Sequence, residues 1–365
     1  MKKRINDWIT IVLISMRDKL GPVAAIILSA ALFGVSAPLA KSLVEGMPAT
    51  ELAGLLYLGA FLGLGFFTVF RWLRGKRRNY ETLARNDAKW LIGSIISGGV
   101  VAPILMITGL TLISGFTASL LLNLEGLFTV LLAVTFFRQK EGKRLWTALI
   151  VMTLASVLLT YDPTNGSFRI EGTLFLVGAM LFWGLDNNLT QKISGKDPVQ
   201  ISMIKGMVAG TSSIAITLLI GVPLAFGPSI VYALLLGAFS YGVSLVLFIL
   251  ALSKMGSSRT AALFAIGPFI GAAVSIPLLG ETLEWLMLPA SIMMASAVWL
   301  IAREKHAHEH RHTTITHVHP HEHGDPHHQH HPDEEIAGSH SHLHTHEEMV
   351  HSHAHWPDTS HQHDH

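Results

Sequence analysis

Carboxylates, amides and an amine fall inside apolar stretches of this chain, where a bilayer would leave them without water. Asp186, Asn187 and Asn188 follow one another in Leu181-Phe182-Trp183-Gly184-Leu185-Asp186-Asn187-Asn188-Leu189. Lys205 lies in the next apolar stretch. Asn123 and Glu125 lie in an earlier one, Leu122-Asn123-Leu124-Glu125-Gly126. Ionisable groups inside a membrane are costly, and by default they mark solute or ion paths. Asp186 stands about six residues before the end of its stretch, and Lys205 about seven past the start of the next. At about 1.5 Å per residue both are roughly 10 Å deep, so an ion pair is within reach. Such a pair suits either a solute path or a structural bridge between adjacent helices, with Asn187 and Asn188 as interhelical glue. Glu125 is different, because no Lys or Arg is expected at its depth near the segment centre. A lone central acid suits proton coupling or cation binding. The alternative is a permanently protonated acid, hydrogen-bonded to another helix. The candidates for binding substrate or coupling ion are therefore Glu125, Asn123, Asp186, Asn187, Asn188 and Lys205.

A second chemistry lies at the C-terminal end. All 22 histidines fall from His306 onward, and many alternate with other residues. His306, His308, His310 and His312 form one run; His317, His319, His321 and His323 a second; His340, His342, His344 and His346 a third. Imidazoles mixed with carboxylates on a flexible chain suit divalent Zn, Ni, Co or Cu. These histidines are the metal candidates, and no cofactor is required for the rest of the chain. The runs are irregular and extend over the last 60 residues, unlike a purification tag. Arg311 is the only Lys or Arg after His306, so the tail is acidic and the remainder basic. Low apolar content predicts a disordered tail.

The elements that must position the intramembrane groups follow from composition. Half of the 365 residues are hydrophobic, 14% are charged, and mean hydropathy is +0.44. A soluble domain carries about 25% charge. The class is an all-α polytopic membrane protein, because backbone groups in lipid must be satisfied within the segment. There is no cysteine, which excludes disulfides and thiolate metal sites. No nucleophile–base constellation in the core suggests an enzyme, and nothing implies a nucleic-acid partner. Residues 1–19 carry Lys2, Lys3, Arg4, Arg17 and Lys19 around a short apolar patch. Basic residues close the patch and no small-residue cleavage site follows. An amphipathic segment on the cytoplasmic surface is expected there, not a signal peptide.

Ten apolar segments follow, at about 20–44, 51–73, 88–112, 115–137, 144–160, 170–191, 198–221, 228–252, 257–279 and 282–301. Loops rich in Lys and Arg alternate with loops holding only Arg169. The basic set includes Arg74 to Arg78, Arg138 to Arg144, Lys192 and Lys196, and Lys254 and Arg259. The positive-inside rule puts this set and both termini in the cytoplasm. Leu32-Phe33-Gly34 and Phe182-Trp183-Gly184 are in register: aligning Gly34 with Gly184 brings Leu39 onto Leu189 and Pro48 onto Pro198. Aligning Ala118 with Thr260 brings Gln139 onto Glu281. Five crossings per half is an odd number, so the halves form an inverted repeat with a solute site near the midplane. Domains are expected at 20–160 and 161–303, with a tail at 304–365.

Pro38, Pro103, Pro268 and Pro277 should interrupt helices and free carbonyls. Gly59-x-x-x-Gly63, Gly206-x-x-x-Gly210 and Gly267-x-x-x-Gly271 should allow close helix approach. Lys41, with Glu45 one turn on, is expected to snorkel to the interface.

The five-plus-five crossings, the Leu-Phe signature before glycine early in each half (Leu32-Phe33-Gly34 and Leu181-Phe182-Trp183-Gly184), and Leu279-Gly280-Glu281-Thr282-Leu283 before the last segment resemble the EamA-type transporters of the drug/metabolite transporter superfamily. The resemblance spans residues 21–303. It implies export or exchange of small solutes through a central cavity. The first half departs from the family with Arg138-Gln139 where an acid is common and Leu55 where a basic residue is common. The second half keeps both, as Glu281 and Lys205. The histidine tail is not part of the family pattern. The expected function is a secondary transporter, in the exporting direction, of a small solute, with a divalent transition metal as one candidate. Alternatives are a metabolite or amino-acid exporter whose tail only buffers metal, and a membrane metal store or sensor that transports nothing. The expected partners are the lipid bilayer, the solute and divalent metal ions. The sequence does not fix an oligomeric state.

Overall fold

The computed structural model describes residues 21–73, 80–137, 143–162, 167–302, 307–312, 315–321, 340–346 and 349–354, and no side chain beyond 300. The amphipathic segment expected at 1–19 lies outside the described residues, as do His306 and His323. The helical body and the tail are separate compact units.

In the first half of the body, α1 (Pro22–Gly34) and α2 (Ser36–Val44) share one span, and α3 (Ala49–Leu73) is the next. The third span runs through α4 (Ala88–Ser94), a π-helical stretch (Ile95–Val101) and α5 (Ala102–Leu112). The fourth consists of α6 (Gly115–Leu121) and α7 (Leu124–Phe137), and α8 (Lys143–Thr160) closes the half. The second half contains α9 (Ile170–Gln191), α10 (Pro198–Leu219), α11 (Pro228–Leu236), a second π-helical stretch (Gly237–Val243), α12 (Ser244–Phe264), α13 (Ile266–Leu279) and α14 (Met287–Ala302). A small ribbon joins the halves, with Tyr161 opposite Phe168 and Asp162 opposite Ser167.

Among the described residues, seven spans are long and apolar enough to cross a membrane. Two more apolar helices, Trp146–Thr160 and Met287–Leu300, are shorter. The consecutive Asp186, Asn187 and Asn188 lower the hydropathy of α9, although at 22 residues it is long enough to span. Large apolar side chains face outward, as expected for contact with lipid. Ile150, Leu154, Ile292 and Trp299 are exposed while Ala148, Met152, Met294 and Ala297 on the same helices are buried.

Local chemistry starts and stops the helices. Ser114 accepts a hydrogen bond from Thr117 N at 3.1 Å to cap α6. Asp197 caps α10 through Val199 N at 2.9 Å, ahead of Pro198 at the first helical position. Gly280 ends α13 in the left-handed region at φ 64°, which glycine tolerates without a Cβ penalty.

The spans are less regular than the hydropathy pattern predicts. Pro38 lacks the N–H that would bond Gly34, and the first span breaks between Gly34 and Ser36. The register that aligns Ala118 with Thr260 also carries Ile95 onto Gly237, Val101 onto Val243, and Asn123 onto Ala265. Each pair is the same irregularity seen twice: two π-helical stretches, and two breaks at the middle of a span. The helix pairing follows the repeat as well. The first span packs on α12 and α13; α9 packs on α5 and α7. Between the halves α3 lies along α10, and α8 along α14.

The glycine spacings do provide close contact. A Cβ on Gly59 would lie 2.2 Å from the Leu234 carbonyl oxygen, and one on Gly271 2.4 Å from that of Gly34. One side-chain expectation is corrected. Lys41 does not snorkel: its Nζ donates to the carbonyls of Leu110 and Ile113, the latter at 2.9 Å. The carbonyls left free at the end of α5 attract the amine more effectively than the interface does.

The tail also departs from expectation. Composition predicts disorder, yet the described tail residues form two antiparallel ribbons. β1 (Ala307–His312) pairs with β4 (Met349–Ala354), and β2 (Ile315–His321) with β3 (His340–His346). Histidines at every second position are a period-two pattern, the period of a strand, with Val318 opposite Leu343. The side chains of these histidines lie outside the described residues.

Candidate functional site

Helix α9 carries the candidate groups on one face. Trp183, Asp186, Asn187 and Thr190 follow helical spacing and are all buried. Lys205 is on the adjacent α10 and is 1% exposed. Its Nζ lies 2.7 Å from both carboxylate oxygens of Asp186. Asp186 Oδ1 also accepts from Ser94 Oγ at 2.5 Å and Thr190 Oγ1 at 2.9 Å. The ion pair expected from depth is therefore present. With its acceptors filled from three residues, the carboxylate is firmly held.

Glu125 is bound more lightly. Asn187 Nδ2 donates to Glu125 Oε1 at 2.9 Å and to Thr129 Oγ1 at 3.0 Å. Among the described residues no hydrogen bond to Glu125 Oε2 is found. Asn188 joins α9 to α7 by donating to Thr129 O at 3.0 Å. Both asparagines thus act between helices, and Asn187 also holds the acid. Asn123 sits at the break before α7, donating to Leu120 O at 3.1 Å, with no partner for its Oδ1 among the described residues. It lines a smaller adjoining recess with Glu125, Phe33, Phe264 and Pro268.

Glu125, Asp186, Asn187 and Lys205 line one cavity of about 50 Å³ near the middle of the body. That volume is enough for a few waters or one small polar group. The amine expected to be remote from Glu125 thus shares its cavity, although no ion pair joins them. The rest of the wall holds six aromatic side chains, Phe33, Tyr57, Trp183, Tyr241, Phe248 and Phe264, together with Ser240, Ser244 and Leu245. Phe33 meets Trp183 edge-on with ring centroids 5.5 Å apart, Tyr57 meets Tyr241 at 5.3 Å, and Phe248 meets Phe264 at 5.1 Å. Phe33 and Trp183 are repeat equivalents, each just before the aligned glycine, so the two halves meet at this contact.

The first π-helical stretch backs this wall without lining the cavity itself. The Gly98 carbonyl accepts from Tyr57 Oη at 2.6 Å and from Trp183 Nε1 at 3.0 Å. A Cβ on Gly98 would lie 1.9 Å from Asp186 Oδ2, so only glycine lets the ion pair sit against this backbone. Sequence reading missed Tyr57 and Tyr241 as site residues. The available signal was scarcity: the chain has five tyrosines, of which Tyr57, Tyr232 and Tyr241 fall within apolar segments.

Among the described residues no group of histidines and carboxylates could hold a metal ion. The metal assignment to the tail histidines rests on side chains outside the described residues.

A profile of the EamA-like transporter family matches residues 20–161 and again 170–303. A protein of Methanothermobacter thermautotrophicus described as an uncharacterized transporter is 29% identical over 296 residues, covering 76% of this chain and 84% of its own. A solved crystal structure is similar over 77% of this chain and 97% of its own, with a TM-score of 0.56 and 15% identity, a likeness of fold alone.

Proposed function

Because the chain belongs to the EamA-like transporter family, whose members are transporters and not enzymes, we propose that it exports a small solute through the Glu125 cavity, driven by a coupling ion. The observation that carries this reading is a lightly bound acid on a central cavity walled in part by aromatic rings. Asp186 has its acceptors filled and serves to anchor Lys205. Glu125 has a free oxygen and a partner amide that can follow its protonation state.

The proposed topology is ten crossings of the cytoplasmic membrane, with both termini in the cytoplasm and the halves inverted. The family match in two parts supports the division near residue 161, and the paired irregularities support the repeat. The cavity favours a small organic solute over a transition metal. Its polar groups are oxygen ligands and one amine, which suit a transition metal poorly, and the body contains no His or Cys. The tail then buffers or senses metal instead of supplying the transport ligands.

The test is Glu125→Gln in everted vesicles. Collapse of an imposed pH gradient is followed as amino acids, amines and salts of Zn, Ni, Co and Cu are added in turn. The wild type should respond to at least one of the panel, and Glu125→Gln should not, while eluting as a folded species in detergent. Gln keeps the size and hydrogen bonding of the acid and loses only the titrating proton. A wild-type response and pH profile from Glu125→Gln would leave Glu125 as a structural acid.

A further inference from the structure

The turn between the third and fourth spans is held from two sides. Lys41 donates to the carbonyls of Leu110 and Ile113, which end α5. Glu281 comes from the second half and reaches the start of α6. Its Oε1 accepts from Gly115 N at 2.5 Å and its Oε2 from Phe116 N at 2.8 Å. An amine thus meets free carbonyls, and a carboxylate meets free amides, on either side of Ser114. Each charge is placed where the helix end favours it. Both side chains are half-buried, and Ile113 and Phe116 beneath them are buried.

The two repeats do not share this arrangement. The register that aligns Gly34 with Gly184 carries Lys41 onto Gln191, and the one that aligns Ala118 with Thr260 carries Glu281 onto Gln139. In an inverted repeat those glutamines belong to the opposite, basic face. The face away from the basic loops is therefore charged at the two positions where the cytoplasmic face is neutral. Neither side chain touches the central cavity, so solute binding does not account for them.

We propose that Lys41 and Glu281 form an outer latch, which holds the transporter closed to the outside and must release for solute to leave. This rests on the transporter reading above. Glu281 joins the loop before α14 to the start of α6, one element from each half, so parting the halves on that side breaks both of its bonds. With only glutamines at the equivalent positions, the cytoplasmic side opens at lower cost and is the resting open side.

The chain has no native cysteine, so accessibility can be read at one introduced thiol. Ser119 is fully buried, one helical turn inward of the latch, with its hydroxyl unpartnered. Ser119→Cys is exposed to a small charged methanethiosulfonate, in right-side-out and in everted vesicles. Glu281→Gln should raise the rate of outside labelling by about tenfold, the shift from losing one charged hydrogen bond, and Lys41→Met, which loosens the turn that Glu281 grips but breaks no bond between the halves, should raise it by less. Labelling from the cytoplasmic side should fall or stay constant. Unchanged outside labelling in both variants overturns the latch. A variant that labels equally from both faces has lost its fold. Glu281→Asp, which keeps the charge but not the reach to both amides, is then read with the same two outcomes. The assay needs no solute. A labelling response with a silent transport panel leaves the outer closure standing and overturns export of the solutes tested; a working panel with no labelling response overturns the latch alone.

Discussion

At the scale of the residue, Asp186 and Glu125 divide two roles that the sequence offers to either. Both are buried carboxylates on facing helices. Asp186 takes four donor contacts from Lys205, Ser94 and Thr190. Breaking such a pair from one side leaves a charge stranded in the body, costing about 3–5 kcal/mol. Asp186→Asn should therefore lower the melting temperature in detergent and the folded yield before it affects coupling. Adding Lys205→Met should restore part of the loss by removing the stranded amine. A double variant no more stable than Asp186→Asn would mean that Lys205 has another partner in the body. The ion pair was legible beforehand, because depth along two consecutive segments gives approximate height. The geometry around Glu125 was not. Its neighbour Asn187 and the shared cavity depend on which way α9 is rotated, and hydropathy leaves that open in a segment apolar all round.

At the scale of the element, the third span explains how a charge sits against backbone. A π-helical stretch adds a residue per turn and leaves carbonyls out of the regular ladder. Here the freed Gly98 carbonyl collects Tyr57 and Trp183, and the missing side chain makes room for Asp186. Gly98→Ala should cost at least about 1–3 kcal/mol, since the added methyl must push aside either the carboxylate or α9. Gly195→Ala is the matched control, because a Cβ there meets nothing within 4 Å. Its effect should stay within about 0.5 kcal/mol. Equal melting of the two variants would show that the third span yields without strain. The glycine contacts and most span boundaries were readable from hydropathy and spacing, but the turn expected between 252 and 257 is helical, because α12 runs unbroken from Ser244 to Phe264 and the break falls at Ala265. The π-helical stretches carry no marker of their own beyond glycine pairs and, in the first, a following proline. Only the repeat register, applied after the fact, shows that they occur as a pair.

At the scale of the whole molecule, the helical body and the histidine-rich tail obey different physics. The body matches the family profile in two parts, and its described helices pack on one another. The tail has few apolar residues with which to build a core, and its described parts are short ribbons with imidazole at alternate positions. Two-stranded ribbons of this kind are marginal in water on their own. Metal held between imidazoles would supply the missing stability, since binding to the ordered form alone stabilises it by mass action. Removing residues 306–365 should therefore leave the body folded and monodisperse in detergent, with its response to the solute panel retained. It should also abolish high-affinity Zn binding measured by calorimetry. The full chain should bind Zn with release of protons at mildly acidic pH, because imidazole binds metal in its neutral form. A truncated body that aggregates would mean that the tail is part of the fold. A truncated body that still binds Zn would move the ligands into the helices, where the described residues offer carboxylates but no imidazole, and would return a divalent metal to the candidate solutes.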